Sequence, residues 1–206
     1  ETNMEVPLSL VGTCAWVVRS ARRGCVPTVG RPGRRWRERC SGGRANSTHA
    51  RELAATHNAV RLSPDEWMQP LFGVSDPDGK RDVLEGRLIW TAAALLRVGT
   101  AVVLDFGLWG REERAALHAL ARSLGADART IYLSLDRETQ LARIEERWRE
   151  TPESTWPIAA SVLDEWRAMF EEPDARELAG EIAAGPSGDE NWSQWTAQRW
   201  PTSLDG

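Results

Sequence analysis

From residue 47 onward, short apolar runs alternate with stretches of helical period ten or more residues long, and this alternation leaves few folds open. Ala101 to Phe106 (AVVLDF) is a continuous apolar run of strand length, Thr130 to Leu135 (TIYLSL) is a second, and Asn58 to Leu62 is a shorter third. Parallel strands need crossovers of about this length, and a sheet crossed in that way is covered on both faces. The expected class is therefore α/β, with a mainly parallel sheet and helices on both faces. Ligands of such sheets collect outside the carboxyl ends of the strands. Function is expected just after Leu62, Leu104 and Leu135.

Local punctuation sets the element ends. A helix is expected over Ser47 to Thr56. Ser63-Pro64-Asp65-Glu66 opens another, with Ser63 as N-cap, Pro64 at the first helical position and Glu66 closing a capping box. Arg81 to Val98 carries Leu84, Leu88, Thr91 and Leu95 at near-helical spacing, and Gly99 ends it. Leu117, Leu120, Ala121 and Leu124 form the apolar stripe of a helix that Gly125 stops. Asp136 caps a helix bearing Leu141, Ile144 and Trp148, and Ala159 to Phe170 reads as one more. The first 46 residues hold no sustained period. The expected division is an irregular segment at 1–46, an α/β domain at 47–180 and a tail at 181–206. In that tail Trp192, Trp195 and Trp200 are expected to pack onto the domain, the alternative being an aromatic platform for bases or sugars.

Charge is uneven. Residues 1–50 carry nine Arg against three acids, whereas residues 51–206 carry 17 basic against 27 acidic side chains. A nucleic-acid surface needs phosphate-neutralising charge on its working face, so an acidic body disfavours that class of partner. Cys14, Cys25 and Cys40 are odd in number and widely spaced, unlike a secreted disulfide framework or a zinc site. No apolar run reaches the ~18 residues that cross a bilayer, and the chain opens on acids rather than on a basic leader. A cytoplasmic location without membrane partners is expected.

Ser41-Gly42-Gly43-Arg44-Ala45-Asn46-Ser47-Thr48 stands directly before a helix and one strand before an aspartate. A phosphate loop, G-x-x-x-x-G-K-[ST], uses glycines to turn backbone N–H groups onto phosphates, a lysine for the β/γ charge, and Ser or Thr for Mg²⁺. Gly42, Gly43, Ser47 and Thr48 suit that use. Ala45 stands in place of the second glycine and Asn46 in place of the lysine. The plainer reading of the segment is a glycine-rich turn that caps a helix through Ser47.

The order of elements from Ser47 to Phe170 resembles the P-loop kinases related to the zeta toxins and the chloramphenicol phosphotransferases. The resemblance rests on STHARELAATHNAVRLSPDEWMQPLFG, on AVVLDFGLWGREERAALHALARSLGA, and on IYLSLDRETQLARIEERW followed by VLDEWRAMFEEP. It implies a three-layer P-loop NTPase-like fold, ATP and Mg²⁺ as cofactors, and phosphoryl transfer to a hydroxyl of a small molecule. It further implies Asp65 as general base, Ser47 and Asp105 serving the metal, and Arg143 and Arg147 as lid arginines over the phosphates. Residues 42–48, with Asn46 in the lysine position, would hold the nucleotide. Each residue also has a structural reading: helix-start electrostatics for Asp65, a cap for Asp105, a solvated helix for Arg143 and Arg147.

Asn46 favours a rival reading, a non-catalytic interaction protein on the kinase fold. An RNA-end kinase is a third, against the acidic body. In front of the loop, Arg34 to Cys40 cannot be a buried strand, and the nearest apolar run, Val11 to Val18, lies more than 20 residues earlier. One hypothesis is a reading-frame shift near Asn46, the alternative being a genuinely degenerate loop. Codons such as GGG CGG GCA AAT for Gly43 to Asn46 contain Ala-Gly-Lys in another frame.

Overall fold

The computed structural model describes residues 13–20, 46–73, 78–150, 158–181, 183–188 and 190–204. Four strands, β1 (Thr13–Ser20), β2 (Ala59–Leu62), β3 (Ala101–Phe106) and β4 (Ala126–Leu133), form one sheet in the order β2-β3-β1-β4. Eight helices accompany them among the described residues: α1 (Asn46–His57), α2 (Pro64–Phe72), α3 (Lys80–Arg97), α4 (Arg111–Ser123), α5 (Arg137–Glu150), α6 (Ala160–Met169), α7 (Ala175–Leu178) and α8 (Trp192–Arg199). The expected α/β class is thus present, with one correction to the sheet. β2 and β3 pair in parallel, but β1 runs antiparallel to both β3 and β4. β2, β3 and β4 therefore point one way and β1 points the other, which makes the sheet mixed.

β1 comes from the stretch expected to be irregular. It fills the gap between β3 and β4, where both strands would otherwise carry unpaired backbone groups. Its two valines serve the two faces, as strand alternation requires. Val18 joins Leu62, Val102, Leu104 and Phe106 under α3, α4 and α8, while Val17 joins Val103 and Ile131 under Ala50 and Leu53 of α1. The result is three layers, with α1 on one face and α3, α4 and α8 on the other. A third cluster, Ile144, Leu163 and Trp166, joins α5 to α6.

Several element ends follow local rules. Gly125 adopts φ +67° and turns the chain from α4 directly into β4, a conformation that a side chain would oppose. β4 consequently starts at Ala126, four residues before the expected position. Asp136 caps α5, its Oδ1 accepting from the Thr139 amide at 2.8 Å. α3 departs from its expected face: Leu88 is buried, but Leu84, Thr91 and Leu95 are only half-buried. The buried side instead follows Arg81, Glu85, Ile89, Ala92 and Leu96. The tail explains the rotation, because Trp200 is wholly buried against that side and Gly86 meets the carbonyl of Pro201. The three tail tryptophans stack edge to face in series, with centroids 6.1 and 5.8 Å apart.

Candidate functional site

A tight turn at Asn58 joins the end of α1 to the start of β2, so α1 begins near the edge of the sheet where β2 ends. Asp65 follows β2 in the first turn of α2, and Asp105 lies at the end of β3. By alternation Arg61 and Asp105 share the α1 face with Val103. This edge gathers the titratable groups of the site.

Arg61 is its hub. The guanidinium, nearly buried, donates from Nε and Nη2 to Asp105 Oδ2 at 2.9 and 2.7 Å, and from Nη1 to Glu66 Oε1 at 2.7 Å. Arg51, from the second turn of α1, donates to the same Glu66 oxygen at 2.8 Å. Glu66 was expected to close a capping box, yet its Oε1 serves these two arginines. Hydrogen bonds from Arg61 and then Arg51 hold its carboxyl below the usual range. Burial pushes the Asp105 carboxyl up; Arg61 opposes this, while the charges of Asp65 and Glu66 add to it. Burial works against the Arg61 cation as well, but its bonds to Glu66 and Asp105 outweigh that cost and raise its pKa. Asp65 is partly exposed, and its Oδ1 accepts from Arg81 Nη2 at 2.8 Å.

Of the residues singled out by sequence, Asp65 and Asp105 are therefore neighbours at one sheet edge. Thr48 is exposed at the start of α1. Gly42 and Gly43 lie outside the described residues, as do the side chains of Asn46, Ser47 and Arg147. Arg143 is half-buried on α5. Lys80, the only lysine of the chain, is exposed with its Nζ 5.7 Å from the Phe72 ring centroid.

Arg61, Glu66, Arg51 and Arg81 are the site residues that sequence reading missed. The carboxylates at this edge are hard oxygen donors of the kind Mg²⁺ takes, and that ion commonly uses one or two carboxylates with water and substrate phosphates. The donor chemistry fits. Arg61 already occupies one Asp105 oxygen, so a metal or its water would meet the other oxygen or displace the arginine. Among the described residues no group of three His, Cys, Asp or Glu gathers as a metal centre. No described helix is long and apolar enough to cross a membrane.

A model of the AAA domain matches residues 44–173, a span holding α1 to α6, β2 to β4, and both Asp65 and Asp105. No curated protein and no solved structure matches the chain. Since the matched span exceeds half of the chain, the protein belongs to the AAA domain family of P-loop, kinase-like proteins and carries a nucleotide-binding domain of that kind.

Proposed function

We propose that the chain transfers a phosphoryl group from ATP to a hydroxyl of a small molecule, with Asp65 as the general base. The observation that carries this reading is the meeting of Asp65 and Asp105 with Arg61, Glu66 and Arg81 at the carboxyl ends of β2 and β3. Bound MgATP supplies the phosphoryl group. Asp65, partly exposed and held by Arg81, accepts the proton of the acceptor hydroxyl. Ser47 and Asp105 serve the metal, and residues 42–48 hold the phosphates. Arg143 and Arg147 of α5 neutralise charge on the transferred group.

Asp65→Asn should abolish phosphoryl transfer and leave ATP affinity within about twofold, since a base acts on the acceptor and contributes little to holding nucleotide. The check is ATP turnover over a panel of hydroxyl compounds beside calorimetric titration of ATP with and without Mg²⁺. Full turnover in Asp65→Asn would reduce Asp65 to a helix-start residue.

A second reading has its own support. Asn46 stands where the phosphate lysine belongs, and Arg61 ties up Asp105. Together they favour a kinase fold that has lost its nucleotide and serves as an interaction module. Tight ATP binding by the unaltered chain would dismiss that reading.

A further inference from the structure

Arg81 differs from an ordinary surface partner of Asp65. Its side chain is almost wholly buried although it stands at the second residue of α3. One end donates to Asp65 Oδ1 at 2.8 Å, while its Nε donates to Glu85 Oε1 at 3.1 Å, one helical turn further on. The other Glu85 oxygen, Oε2, accepts from the indole Nε1 of Trp200 at 3.0 Å. Trp200 is fully buried, and Arg199 beside it donates to Asp82 at 2.6 Å and to Glu113 at 2.7 Å. An unbroken series of hydrogen bonds therefore runs from the end of α8 through α3 to the first turn of α2.

We propose that Arg81 is the positioning residue for the Asp65 carboxylate, and that the C-terminal tail sets Arg81 for this task through Trp200 and Glu85. As an assignment within the reaction, this rests on the reading of Asp65 as the base. A guanidinium is a planar fork, so fixing its Nε edge on Glu85 fixes the direction of the Nη2 bond to Asp65. Glu85 can hold that edge only if its own rotamer is fixed, and the Trp200 indole fixes it from the far side. A base displaced by about 1 Å can lose a hundredfold in rate, so such support reaches the chemistry without touching substrate.

The test uses the full chain, isotopically labelled, with Trp200→Phe, Glu85→Gln and Arg81→Lys. Trp200→Phe keeps an aromatic ring and removes the N–H. Glu85→Gln keeps the shape and leaves one oxygen where two partners need an acceptor. Arg81→Lys keeps the charge but cannot span both carboxylates. Amide exchange at Val102 and Leu104 verifies that each variant is folded, and Glu85→Gln replaces Trp200→Phe should the latter fail this control. The readout is the Asp65 χ1 rotamer from three-bond couplings at about pH 8, where Glu85 is ionised and both of its oxygens accept. One rotamer is expected in the unaltered chain, with averaging in Arg81→Lys and in the tail variant. Averaging already in the unaltered chain, or a single rotamer retained in the folded variants, would overturn the proposal. Kinetics separate it from the functional reading: Arg81→Lys should lower kcat by about tenfold or more with ATP affinity unchanged. An Asp65 that loses its rotamer in the variants, in a chain that transfers no phosphoryl group, supports the positioning and refutes the base.

Discussion

Glu85 shows how one buried side chain carries a pH dependence that sequence alone does not display. Burial is the main cause that pushes its carboxyl from 4.5 up to about 7; the charges of Arg81 and Arg199 and the Trp200 N–H pull it down, and Glu113 pushes it further up. The folded state thus holds this proton more tightly than the unfolded chain. The contribution of Glu85 is fully present below about pH 4.5 and is lost as pH rises through about 7, which at ~1.4 kcal/mol per pH unit amounts to about 3 kcal/mol. His118 works in the opposite direction. Its imidazole, bonded through Nε2 to Thr130 at 2.8 Å, is lowered by burial and then by Arg122 to about 4. Its contribution is present above about 6.5 and is lost as pH falls through about 4. The two oppose each other between pH 4.5 and 6.5, so the unaltered chain should show a shallow slope there. Glu85→Gln should expose the His118 dependence, with urea midpoints that fall steadily from pH 6.5 to 4. Equal slopes with and without the substitution would mean that Glu85 does not titrate as stated.

Between elements, two contacts decide how the helices sit. Arg114 of α4 is completely buried and donates to both oxygens of Glu177 on α7, to the carbonyls of Leu108 and Trp109, and to that of Glu171 at 2.8 Å. It is the clip that joins α7 and the segment after β3 to α4. Arg114→Leu strands a buried carboxylate and three carbonyls and should cost about 3–5 kcal/mol in urea unfolding. Arg114→Met with Glu177→Leu should cost clearly less, because no lone charge remains. A single substitution no worse than the pair would show that the clip contributes little. The second contact is the close approach of α3 and the tail: a Cβ at Gly86 would stand 2.0 Å from the Pro201 carbonyl oxygen. Since that neighbour is backbone, Gly86→Ala must move one element, at a cost of about 1–3 kcal/mol. Faster hydrogen exchange at the Trp200 indole is the signature to look for, and unchanged exchange would mean that the tail shifts without releasing Trp200.

At the scale of the molecule, the proposed nucleotide site rests on residues 42–48, whose sequence departs from the phosphate-loop pattern at Ala45 and Asn46. A charge-assisted hydrogen bond is worth roughly 1.5–3 kcal/mol, so a lysine at position 46 with glycine at 45 should raise ATP affinity by about tenfold or more. Calorimetry of Ala45→Gly, Asn46→Lys and the pair decides this. No gain in the pair would mean that residues 41–48 form no phosphate cradle in this chain.

Features set by neighbours in the chain were legible from the residues: the run AVVLDF as a buried strand, the stop at Gly125, the cap at Asp136, and Asp65 and Asp105 as groups at strand ends. Each depends on backbone preference or apolar period over a few residues. Only the tertiary structure placed Thr13–Ser20 in the middle of the sheet, since its partners Val102–Phe106 and Ala126–Leu133 lie more than 80 residues away. It alone turned the buried face of α3 toward Arg81 and Glu85, and gathered Arg51, Arg61 and Arg81 around the acids of the site. No motif marks an arginine for such a role. Its partner is selected by burial, where an unpaired charge is costly, and burial is a property of the assembled layers.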